Sequence, residues 1–205
     1  MTTQEGTRQM KSPNDSPRIA PLEPPYDPEV AQILKRMMPP EMEPLKLFRT
    51  VAHNRYILDK LRSTGAYLLN YGALDPLERE IVIHRTCARC GSEYEWGVHV
   101  LAYGQPLGLS EKQIEATVTG SPDDLVWSER QSLLLQLVDE LHETATVSDG
   151  LWKKLAENWN PSQLIELLAV VGQYHTVSFF TNAVRVEREE GAPAFPARAG
   201  TKPEP

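Results

Sequence analysis

The sequence predicts an all-α protein, a compact multi-helix domain, and three observations carry that prediction. Apolar residues recur at threes and fours, as in Leu47, Val51, Leu58, Leu61 and Leu68. Helix-start signals repeat, with Asp27-Pro28, Asp75-Pro76, Ser92, Ser110, Ser128, Ser148 and Pro161 each standing before an apolar-periodic run. No alternating apolar–polar stretch of strand length appears.

Taken in order, residues 1–20 are polar, rich in Thr, Ser, Pro and Asn, and are expected to form a disordered tail. The helical domain is expected over 21–190 and a second loose tail over 191–205, where Ala, Pro and Gly return. Within the domain, Asp27 caps a short helix that stops before Pro39-Pro40. A helical pattern follows from Leu45 to about Leu68, with a break expected near Asn54 or Gly65. Asp75-Pro76 opens a helix through Ile81, Val82 and Ile83 to Cys90, with Gly91 as its C′ residue. Ser92 and Glu95 have the spacing of a capping box for a helix running to about Tyr103. Short helices start at Ser110 and Ser148, and an amphipathic one runs from Ser128 to Thr144. The largely apolar run Leu164–Val186 is expected at the centre of the domain, and surface buried between subunits is expected to go with it.

The chain has 205 residues, 40% hydrophobic and 24% charged, which suits one globular domain. A net charge of -7 argues against nucleic acid and against an anionic membrane surface. Neither an apolar run near about 18 residues nor a charged-then-apolar leader is read, so no membrane span or signal peptide is expected. The two cysteines, three apart, make no secreted disulfide framework, and the expected compartment is the cytoplasm.

Chemistry is concentrated in residues 76–99, which hold Glu80, Arg85, Cys87, Cys90, Glu95 and His99. Glu95 and His99 stand four apart and share a helix face with Ser92, forming either a pocket wall with an acid–base pair or a cap and a core histidine. Glu80, ahead of Ile81-Val82-Ile83, is expected to be partly buried and able to trade protons, while Glu78 suits the plain role of a first-turn acid. Arg85 either anchors a substrate carboxylate or neutralises Glu80. Trp96, Tyr103, Tyr174 and Phe179 are candidate pocket linings that core packing would equally explain. Cys87 and Cys90 sit at a helix C-terminus, where the dipole disfavours a thiolate, and read as packing cysteines. His84, Cys87 and Cys90 have metal-like spacing but show no fourth ligand, so neither a metal nor a cofactor is expected. His175 is ambiguous, and His53 and His142 carry no signal.

Arg79-Glu80-Ile81-Val82-Ile83, Tyr94-Glu95-Trp96, His99 and Gly108-Leu109-Ser110 resemble the carboxymuconolactone decarboxylase and AhpD-like alkylhydroperoxidase superfamily. Leu164-Ile165-Glu166-Leu167, Gly172-Gln173-Tyr174 and Asn182 are similar to its last helix, and the likeness covers roughly residues 45–190. The peroxidase branch carries Cys-x-x-Cys-x-x-x-His, and Ser92 and Glu95 stand at those two cysteine positions, so the chain resembles the decarboxylase branch more closely. The resemblance implies a compact helical domain assembling as a trimer or hexamer. It further implies a cofactor-free lyase or isomerase acting on a small carboxylate or lactone. His99, Glu80 and Glu95 would then be catalytic, with Arg85, Ser92, Trp96 and Tyr174 binding substrate. A thiol-dependent hydroperoxidase using Cys87 and Cys90, and a non-catalytic ligand-binding protein, are the alternatives.

Overall fold

The computed structural model describes residues 16–39 and 41–197, and among them there are helices and no strands. The elements are α1 (Pro28–Leu34), α2 (Lys46–Val51), α3 (Arg55–Asn70), α4 (Pro76–Arg89) and α5 (Glu93–His99). A π-helical turn (Val100–Gly104) extends α5, and α6 (Glu111–Thr119), α7 (Glu129–Thr144), α8 (Asp149–Asn158) and α9 (Pro161–Val184) follow. The expected break falls at Asn54, whose side chain accepts from the Ile57 N–H and caps α3; Gly65 lies inside that helix.

Helix α4 is the axis of the domain, a place the sequence reading gave to α9. Every residue from Arg79 to Cys87 is buried, because α5, α6, α7 and α9 pack around it. A helix covered on all sides needs no polar face, yet this one carries Arg79, Glu80, His84 and Arg85 into the interior. Helix α9, although more apolar, buries only one stripe, through Leu164, Leu167, Val171, Tyr174 and Ser178. Its other stripe, at Ile165, Ala169, Gly172, Thr176, Phe179 and Ala183, is exposed. By length and apolarity alone α9 could cross a membrane, but it packs on α3, α4, α5 and α8 as a core helix.

Two joints set the path of the chain around the site. At the end of α4, Gly91 takes φ 65°, a left-handed conformation that costs glycine little. The Ser92 N–H reaches the Cys87 carbonyl (2.8 Å) and the Gly91 N–H reaches that of Ala88 (3.1 Å), a Schellman cap that folds α5 back along α4. The capping box expected from Ser92 and Glu95 does not form: Ser92 Oγ is 2.7 Å from Thr181 Oγ1 on α9, and Glu95 turns towards His99.

A second, smaller core joins α1, α2 and α3 to Tyr94 and Val177. Tyr94 Oη secures it by accepting from the Leu47 N–H (3.0 Å) and donating to Glu189 (2.5 Å). Residues 191–197, expected to be loose, are packed: Phe195 meets Trp96 edge-on at 5.3 Å and its N–H donates to Glu93. The expected tails at 1–15 and 198–205 lie outside the described residues.

Candidate active site

The Schellman turn brings His99, at the end of α5, back onto Glu80 in the second turn of α4. His99 Nδ1 lies 2.8 Å from Glu80 Oε2, and both side chains are buried. The other ring nitrogen, Nε2, lies 3.5 Å from Glu95 Oε1, one turn back on its own helix. Burial pulls the imidazole pKa down, but the charge of Glu80 and hydrogen bonds to Glu80 and Glu95 outweigh it, and the result is a rise to about 9. His99 is therefore an imidazolium at neutral pH, clamped between two carboxylates.

His84 shows the opposite balance one turn along α4. Its Nδ1 donates to the Glu80 carbonyl (2.7 Å), which leaves Nε2 as the lone-pair nitrogen. Burial dominates, and the pKa falls to about 4 despite the charge of Glu80. His84 is thus neutral. Its Nε2 faces Gly104, where a Cβ would come within 2.9 Å, so a larger residue in the π-helical turn would close this space.

Two phenols complete the wall. Tyr103 stacks on the His99 ring at 5.0 Å and Tyr174 meets it edge-on at 5.0 Å. Burial raises both pKa values, that of Tyr174 well above the ordinary range. Both are neutral hydrogen-bond donors. Four buried polar atoms gathered on these residues have no hydrogen-bond partner among the described residues: Arg79 Nε, Glu80 Oε1, His84 Nε2 and Glu95 Oε2. Arg79 is the cation of the group, with its Nε 3.8 Å from Glu80 Oε1. Buried polar groups normally find partners, so such a concentration marks a place where a ligand supplies them.

The structure brings His99, Glu80, Glu95 and Tyr174 together, and adds Arg79, His84 and Tyr103. It corrects Arg85. That guanidinium makes a two-pronged pair with Asp139 on α7 (2.8 and 2.7 Å) and donates to the carbonyls of Thr117 and Gly120. With its donors committed, Arg85 neither anchors a substrate nor neutralises Glu80. Trp96 spends its indole N–H on Thr117 (3.0 Å) and acts as packing beneath the site, and Ser92 is spent on Thr181. Phe179 is exposed. Glu78 accepts from Arg130 and from the Trp159 indole, a structural role.

Neither sulfur is among the partners of His99. Cys87 is fully buried, and burial with nearby carboxylates lifts its pKa well above the thiol value. Cys90 is raised as well, first by burial. The metal-like spacing of His84, Cys87 and Cys90 makes no common site among the described residues, where the ligand atoms that gather are those of Cys90, His142 and His175. Cys90 instead meets His142 and His175, a grouping the sequence reading missed.

No family model and no curated protein matches the chain. Solved structures do match. An uncharacterised peroxidase-related protein from Silicibacter sp. TM1040 superposes with a TM-score of 0.72 at 17% identity, over 91% of this chain and 97% of that one. The debrominase Bmp8, as a cysteine-to-alanine variant holding 2,3,4-tribromopyrrole, gives 0.68 at 11% identity, over 84% and 91%. A protein of unknown function from Agrobacterium tumefaciens, described as of the antioxidant-defence AhpD type, gives 0.63 at 16% identity over 68% and 94%. The chain has the AhpD-like fold. In this chain the Glu80–His99 contact spans the joint between α4 and α5.

Proposed function

We propose that the protein is a cofactor-free lyase or isomerase that moves a proton on a small carboxylate or lactone. The observation that carries this reading is the buried Glu80–His99–Glu95 relay, set among polar atoms without partners. His99, charged at neutral pH, is the proton donor. Its Nδ1 edge is held by Glu80, while the looser Nε2–Glu95 contact at 3.5 Å is the one a substrate can displace. Arg79 takes over the anchoring role first given to Arg85, because its Nε is buried without an acceptor.

For a carboxylate substrate the step balances as follows. The bond to the carboxyl carbon breaks and its electron pair stays on the remaining carbon skeleton as an enolate. Carbon dioxide leaves. The enolate oxygen accepts hydrogen bonds from the neutral Tyr103 and Tyr174 phenols. His99 then gives its proton to carbon and regains one from solvent. A neighbour of this fold holds a small planar pyrrole, which is in keeping with a small substrate here. The exposed Ile165–Ala183 stripe on α9 supports assembly into a homo-oligomer.

The hydroperoxidase alternative needs a thiolate to attack peroxide, and both sulfurs are pushed towards the neutral thiol. The test is a panel of lactones and β-keto acids run on the wild type and His99→Ala. A substrate turned over by the wild type and lost in the variant supports the reading, and equal turnover by both refutes it.

A further inference from the structure

About 15 Å along α4 from Glu80, by the rise of an α-helix over ten residues, a second cluster joins three helices. Cys90 is the C-cap of α4, His142 stands in the last turn of α7, and His175 lies on α9. His142 Nδ1 is 3.1 Å from His175 Nε2 and 3.8 Å from Cys90 Sγ, and the three atoms lie within 4.8 Å of one another. All three residues are half-buried. Nothing in the proposed reaction uses them.

The geometry points to a metal site of zinc type, in which Cys90 Sγ, His142 Nδ1 and His175 Nε2 are the ligands and a fourth position stays open. With zinc about 2.0–2.1 Å from nitrogen and 2.3 Å from sulfur, a tetrahedron has edges of about 3.3 Å between nitrogens and about 3.6 Å between nitrogen and sulfur. The observed 3.1 and 3.8 Å lie close to those edges. Orientation of the ligands is already provided. His175 Nδ1 donates to the Val171 carbonyl (2.9 Å), which fixes the tautomer that leaves Nε2 free to bind, as outer partners do in metal sites. The Cys90 backbone is held by the Schellman cap and by Asn182 Nδ2 on its carbonyl (2.8 Å).

The surroundings admit a cation. The C-terminal end of α4 carries the negative end of the helix dipole. Asp139 and Glu143 face His142, and Arg89 opposes them while paired to both. A thiolate with two imidazoles suits zinc over calcium, magnesium and manganese, which prefer oxygen ligands; copper(II) shares the preference, and cobalt(II) substitutes for zinc as a coloured probe.

The experiment uses the full chain, reduced and stripped with a chelator. Zinc is titrated against a chromophoric competitor, and cobalt is followed by its absorption spectrum. The expected result is one ion per chain at sub-micromolar affinity, with a thiolate-to-cobalt charge-transfer band. Cys90→Ser should abolish that band, and His175→Gln and His142→Ala should each weaken binding at least about 10-fold with unchanged circular dichroism. Binding weaker than about 10 µM, or affinity indifferent to all three substitutions, overturns the site. Cys87→Ser is the control and should bind as the wild type does.

Discussion

The two ends of α4 offer histidines with opposite protonation. At the Glu80 end, His99 is fully enclosed yet charged, because two carboxylates repay its loss of water. At the Cys90 end, the pKa of the half-exposed His142 is lowered, first by its partial burial and then by His175 and Arg89. Burial lowers both pKa values; at the Glu80 end two carboxylates reverse it, whereas Asp139 and Glu143 beside His142 do not. Helix α4 thus contributes Glu80 to one cluster and Cys90 to the other.

The sharpest way to break that contrast is Glu80→Gln. Losing the carboxylate should drop the His99 pKa from about 9 to the ordinary range or below, and turnover should fall about 10²–10⁴-fold. Imidazole titration by NMR reads the first effect. An unmoved His99 titration would mean that Glu80 does not hold the proton there.

Arg85→Ala should act on stability instead. It leaves Asp139 without its two-pronged partner, and about 3 kcal/mol is expected from the midpoint of urea unfolding. KM in the surviving protein should not change. A KM increase without loss of stability would restore Arg85 as the substrate anchor.

The stability curve against pH carries both buried histidines. His99, raised to about 9, contributes stability present below about pH 6.5 and lost as pH rises through about 9. His84, lowered to about 4, binds its proton in the unfolded chain first, so stability falls as pH drops from about 6.5 to 4. Together they place the maximum near pH 6.5, with limbs of up to about 3 kcal/mol each. Denaturant melts from pH 4 to 10 check this, and Glu80→Gln should flatten the alkaline limb while lowering the His84 pKa further and so steepening the acid one.

Arg79→Gln is expected to lower kcat/KM about 10–100-fold, with a smaller loss of stability than Arg85→Ala, because its approach to Glu80 is a long 3.8 Å where Arg85 makes a two-pronged pair. A large loss of stability would make Arg79 structural. Smallest of all, Cys87→Ala should cost about 1 kcal/mol as a packing thiol and leave turnover unchanged. Loss of turnover there would revive the thiol chemistry.

Local rules made much of this architecture legible. The caps at Asp27, Asp75, Ser110, Ser128 and Ser148 hold as the sequence implies, each through a side-chain oxygen accepting backbone N–H bonds. Gly91 is the C′ residue, as its place after Cys90 suggested. The Glu80–His99 meeting came from family resemblance, since nothing in the spacing shows that α5 folds back on α4. The misses are long-range. Arg85 finds Asp139 across 54 residues, and His142 finds His175 across 33. A trace of the second was available: His142 continues the Leu135–Val138 buried stripe of α7, and His175 stands four residues after buried Val171. Helix α9 was expected at the centre because it is the most apolar, whereas within the chain α4 takes that place and α9 leaves its outer stripe exposed.

The π-helical turn at Val100–Gly104 is, in effect, a residue count. A helix widens to that pitch when it accommodates one residue more than its hydrogen-bond ladder requires, here with the Gln105 N–H reaching the Val100 carbonyl. Deleting the exposed Leu101 would let the ladder close as an ordinary helix. Tyr103 would then follow His99 by three residues instead of four, and Gly104 would slip from beside His84. The chain should still fold, with its helices and melting point largely intact, while any turnover disappears; retained turnover would show that the register is free. Insertions and deletions at this turn are thus a route by which one scaffold could be retuned to new substrates without touching its core.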